Sequence, residues 1–88
     1  MPEIQGADRK LTFGEKAVGL TFNPSNDLDV QAIKEAFAKT IDLCNDALTA
    51  PLKPGMTDNN ERNRMLKVAI TNAQTAQMWA VKAVTWKY

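Results

Sequence analysis

Phe22 stands immediately before the turn Asn23-Pro24-Ser25-Asn26, close to a helix start. An aromatic face there can stack on a nucleobase, a contact of roughly 1–3 kcal/mol per base. The amides of Asn23 and Asn26 and the hydroxyl of Ser25 can then read base edges or a ribose. The same ring can instead staple the chain onto the helix that follows. Asp27 and Asp29 come next. Their charge argues against a phosphate seated directly at this helix N-terminus, so a phosphate needs cations from elsewhere, such as Arg64 or a neighbouring subunit. Arg62, Arg64 and Lys67 sit near the start of a second helix, where the dipole disfavours cations. They are either a solvated basic face or an anion contact. Lys82 and Lys87 lie near the other end, where the dipole favours them.

Other chemistries find little support. The chain has no histidine, so a triad or a general base poised near neutral pH is missing. No cluster of His, Cys or carboxylates has metal-ligand spacing. Asp42 and Asp46 are spaced i,i+4 on what reads as a solvated helix face. Gly6, Gly14 and Gly19 are scattered and open no phosphate-binding loop. The expectation is a protein that is not an enzyme and carries no cofactor.

The elements that must position these residues fall into three segments within one domain, residues 1–88. Residues 1–24 form an arm. In it Leu11/Phe13 and Val18/Leu20/Phe22 alternate around Gly14-Glu15-Lys16, a strand–turn–strand signal. The competing reading is an ordered arm that lies across a neighbouring subunit. Residues 25–49 form a helix capped by Ser25 or Asn26. Val30, Ile33, Phe37, Ile41, Cys44 and Leu48 make its apolar stripe. Lys34, Glu35, Lys39, Asp42 and Asp46 take the opposite face. Residues 50–57 are a linker with two prolines and a glycine. Residues 58–86 form the second helix, opened by Asp58 and Glu61 in a capping-box-like pattern.

That second helix is seamed by Ala69, Ala73, Ala76, Ala80 and Ala83 at alternating steps of four and three. A line of methyl groups lets another backbone approach closely. Met65, Val68, Trp79 and Trp86 lie on one side of the seam, and Ile70, Val81 and Val84 on the other. One hairpin partner cannot cover so wide an apolar surface. In an 88-residue chain that is 44% apolar, self-association is the expected outlet. The fold class expected is all-α: an antiparallel two-helix hairpin with an N-terminal extended or short β-like arm, assembled as a homo-oligomer.

The net charge is +1, which gives no bulk drive toward nucleic acid or membrane. The single cysteine, Cys44, falls on the apolar stripe and reads as a small buried hydrophobe. No secretory signal or apolar span is legible, so the expected location is the cytoplasm.

Two blocks resemble a known family. The first is Leu20-Thr21-Phe22-Asn23-Pro24-Ser25 with Val30-Gln31-Ala32-Ile33-Lys34. The second is Glu61-Arg62-Asn63-Arg64, then Val68-Ala69-Ile70-Thr71, then Ala76-Gln77-Met78-Trp79-Ala80-Val81-Lys82-Ala83. Together they resemble the helical-hairpin domain of phage anti-CBASS and anti-Thoeris sponges. The resemblance implies sequestration of cyclic di- or trinucleotides, or of a cyclic ADP-ribose isomer, without cleavage. It further implies a hexamer with pockets between subunits, acting in the cytoplasm of the infected host. Phe22 takes the place of the stacking aromatic, and Arg64 that of an arginine in the opening of the second helix. Lys34 takes a basic position in the first helix, and Thr71 a threonine of the second. Lys34 and Lys39 both lie near a further family lysine, although the register sets Phe37 there. Lys82 completes the ligand-binding candidates, which are Phe22, Asn23, Ser25, Asn26, Lys34, Lys39, Arg64, Thr71 and Lys82.

Two other classes compete. One is an oligomeric structural or partner-binding protein that binds nothing small. The other is a nucleic-acid binder using Arg62, Arg64 and Lys67, which the near-zero net charge disfavours.

Overall fold

The computed structural model describes residues 9–88 and contains three helices, with no strand among the described residues. They are α1 (Phe13–Ala17), α2 (Leu28–Leu48) and α3 (Asn60–Val84). The strand reading of residues 11–22 is thereby corrected, and its cause is a local cap. Thr12 Oγ1 accepts from the Glu15 N–H (3.1 Å), and the Glu15 carboxylate accepts from the Thr12 N–H (2.9 Å). This reciprocal pair nucleates one short helix where alternation alone pointed to strands. Arg9 reaches the same carboxylate with both terminal nitrogens, at 2.9 and 3.2 Å. Its hydrogen bonds hold the Glu15 pKa below the usual glutamate range. The folded pKa is depressed, so this stabilisation is present above the ordinary glutamate range and is lost as pH falls through the lowered value. Residues 1–8 of the expected arm lie outside the described residues.

α1 docks on α2 through main chain. Gly14 is buried, and its N–H donates to Asp42 Oδ1 (2.7 Å). A Cβ at position 14 would run into the Ala38 carbonyl, so only glycine permits this approach. Val18 and Leu20 then turn inward and join Ala38, Ile41 and Ile70 in the core. Phe37, Cys44, Leu48 and Ala73 pack against that core half-buried. The covered face of α2 is therefore Val30, Lys34, Ala38 and Ile41, turned about one residue from the expected stripe. Lys34 and Asp42, both expected on the solvated face, lie buried and half-buried respectively, because α1 and the following loop pack over that flank.

The caps also differ from expectation. Asp27, not Ser25 or Asn26, caps α2, accepting from the N–H groups of Asp29 (2.8 Å) and Val30 (3.1 Å). Asn59 is the N-cap residue of α3 and makes no side-chain cap bond. Asp58 accepts from the Asn60 N–H (2.9 Å), while Glu61 pairs with Arg64.

The helices form essentially one layer, 50 × 35 × 13 Å overall. One layer of helices cannot enclose a large core, and Ile41 is the largest fully buried side chain. α3 adds Ile70 and Ala73 to the core, and its Gln74 Nε2 donates to the Ala17 carbonyl of α1 (3.3 Å). Ala73 and Ala80 are half-buried, whereas Ala69, Ala76 and Ala83 are exposed. Trp79 and Trp86 are 65% and 58% exposed, so the wide apolar surface has no cover among the described residues.

Candidate functional site

The loop between α1 and α2 runs through a sharp turn. Gly19 adopts a left-handed conformation (φ +62°), and its carbonyl accepts from the Phe22 N–H at 2.9 Å. Asn23 closes the second half of the loop. Its amide nitrogen donates to the Asp27 carbonyl (2.9 Å), and its Oδ1 accepts from the Asp27 N–H (3.0 Å). The Asn23 side chain is thus spent on the loop's own main chain. Asn26 adopts φ +51° and is exposed. The outcome is a Phe22 ring 73% exposed, far more open than a staple packed on the helix would be.

Two concave grooves meet at this ring. The larger, about 770 Å³, lies between the loop and the outer half of α3. Phe22, Lys34, Thr71 and Lys82 line it, together with Lys16, Gln74, Thr75, Gln77 and Met78. The smaller, about 430 Å³, lies between the loop and the C-terminal end of α3. Phe22, Asn23, Ser25 and Lys34 line it, with Val81, Val84, Thr85, Trp86 and Lys87. Both volumes suit a small-molecule ligand. Phe22, Lys34 and Val81 belong to both and divide one groove from the other.

Cations and rings are interleaved here. Lys34 Nζ lies 5.5 Å from the Phe22 ring centroid. Lys82 Nζ lies 5.8 Å from the Trp79 ring and 5.9 Å from the Trp86 ring. Such a mixture favours a flat, aromatic, negatively charged ligand: the rings offer stacking faces and the ammonium groups offer charge.

The remaining candidates lie apart. Asn26, Lys39 and Arg64 line neither groove. Arg64 is engaged with Glu61 through Nε (2.9 Å) and Nη2 (2.6 Å). This pairing holds the Glu61 pKa below and the Arg64 pKa above their ordinary values. Arg62 next to it is half-buried, and its Nη1 finds no hydrogen-bond partner among the described residues. Sequence reasoning missed Gln74, Gln77, Trp86 and Lys87 as groove residues. The signal for Gln77 was a polar side chain on the core-facing line of α3. Trp86 gave none that separated a groove wall from an assembly face. Among the described residues no group of His, Cys, Asp or Glu could hold a metal ion, and no helix is long and apolar enough to cross a membrane.

No curated protein and no solved structure matches the chain. A family model does, the one described as Acb2/Tad1, hairpin domain, over residues 15–85. The match takes in the last three residues of α1, the loop with Phe22, and both long helices. That family is linked to anti-defence sequestration of cyclic nucleotides. Built as a helical hairpin and matched over most of its length, the chain belongs to the Acb2/Tad1 hairpin-domain family.

Proposed function

We propose that the protein is a phage-encoded sponge that takes up cyclic di- or trinucleotides, or cyclic ADP-ribose isomers, in the host cytoplasm and holds them uncleaved. The observation that carries this reading is the exposed Phe22 ring, fixed where two grooves meet and flanked by Lys34 and Lys82. A base stacks on the ring, and the exposed Lys82 ammonium faces the phosphates. Thr71 and Ser25 supply hydroxyls on the groove walls, and Asn26 and Lys39 stay at the periphery. Native mass spectrometry with a panel of cyclic di- and trinucleotides and cyclic ADP-ribose isomers tests the reading. The expected result is a ligand bound at its intact mass. No binding across the panel, or release of a linear product, would overturn it.

The functional unit in this reading is a homohexamer. Its support is the single-layer hairpin with bare Trp79, Trp86 and alternate alanines on α3. In such an assembly Arg64 of one subunit can reach a groove of another, a role that its own chain does not give it. Ala76→Leu should split or weaken the assembly, since overpacking a close helix seam costs ~1–3 kcal/mol per site. Light scattering reads the outcome. A variant that assembles like the parent would remove Ala76 from the interface.

A further inference from the structure

We propose that Lys34 is a positioning residue: it clamps the main chain on both sides of the 19–22 turn and so sets the Phe22 ring, rather than holding ligand itself. This rests on the ligand-binding reading above and deepens it.

Lys34 is only 4% exposed. Its ammonium donates to the Gly19 carbonyl (2.9 Å) and the Phe22 carbonyl (2.7 Å). Two of its three donors are therefore spent on backbone. Gly19 O also accepts from the Phe22 N–H, so one oxygen closes the turn and receives the brace. None of these hydrogen-bond partners is a carboxylate, and burial pushes the lysine pKa down. Burying an ammonium without a counter-ion is costly, and carbonyl oxygens are what compensate it here. Those carbonyls belong to the residue bearing the exposed ring and to the glycine that starts its turn. The ammonium also lies over the Phe22 ring at 5.5 Å, which biases the ring's orientation. Asn23 anchors the turn from the other end. Phe22 is thus held from its main chain while its side chain stays open. Ordering the stacking platform before ligand arrives spares that entropy at binding.

A double-mutant cycle in calorimetry, with cyclic di-AMP and cyclic tri-AMP as probes, tests this. Lys34→Met should weaken binding about tenfold or more, and Lys34→Arg, with a fork of donors for the same carbonyls, should recover most of the loss. Lys34→Met combined with Phe22→Ala should bind no more weakly than Phe22→Ala alone, because Lys34 acts through that ring. Additive losses, with a shallower salt dependence in Lys34→Met, would overturn the proposal by showing the ammonium on a phosphate. Amide hydrogen exchange without ligand gives a separate reading. Lys34→Met should speed exchange at Phe22 while leaving the α2–α3 core protected, and unchanged exchange at Phe22 would overturn the clamp. If the parent binds neither probe and fails the wider panel, the sponge reading fails, and exchange alone judges the clamp. Should Lys34→Met not fold, the parent's ammonium decides by NMR: slow proton exchange at Nζ with Overhauser contacts to Phe22 supports the clamp, and a rapidly exchanging signal overturns it.

Discussion

Phe22→Ala is expected to weaken cyclic-nucleotide binding roughly 100-fold while the assembly keeps its size. The ring is 73% exposed and belongs to no core cluster, so its removal costs the fold little. What it removes is a stacking platform of ~1–3 kcal/mol per base. Where pockets form between subunits, symmetry brings a second copy of the ring to the same ligand and about doubles the loss, hence roughly 3 kcal/mol and two decades in Kd. Calorimetry on the variant, after light scattering has checked its size, gives the number. Parent-like affinity would mean that the ring serves only the turn. Arg64→Ala tests a smaller term, because that guanidinium already satisfies Glu61 and must leave it to meet a phosphate.

The second large effect is structural. Gly14→Ala is expected to lower stability by about 3 kcal/mol, which in a chain of this size shifts the Tm by ~10 °C or more. The added Cβ would come within 2.9 Å of both the Ala38 carbonyl carbon and Asp42 Oδ1, and much of what it meets is helix backbone that cannot swing aside. The α1 segment must lift, and its Gly14 N–H to Asp42 bond goes with it. Val18 and Leu20 then lose their cover. Thermal melting followed by circular dichroism checks this, and a parent-like melt would show that α1 does not sit on α2 as described.

The long helices were legible because their signals are local. The steps of three and four from Val30 to Leu48 and the Pro/Gly linker define them without tertiary information. What was not legible depended on a short segment folding back. Leu11, Phe13, Val18, Leu20 and Phe22 alternate like a strand, but two of them, Val18 and Leu20, are core, whereas Phe13 and Phe22 face out. The Thr12–Glu15 spacing carried the helix signal, overridden by the alternation. Lys34 and Asp42 read as solvated because their type says so, and only the covering segment reverses that. Of the site, the Phe22 turn was legible as a stacking place. The two grooves were not, since they need α3 set against the loop, which brings Thr71, Lys82 and Trp86 from 49 to 64 residues away in sequence.

The loop around Phe22 is fastened through main-chain atoms: Lys34 to two carbonyls, Asn23 to the Asp27 backbone, Asp42 to the Gly14 N–H. The side chains of Thr21, Phe22, Pro24 and Ser25 are exposed and take no part in these ties. Mutational drift at those four positions therefore leaves the scaffold standing. Under the proposed function, single substitutions at these positions shift ligand preference while each variant stays folded. Tolerance to replacement should be high at 21, 24 and 25 and low at Gly14, Gly19, Asn23 and the left-handed Asn26, a contrast that saturation mutagenesis scored for soluble expression would expose.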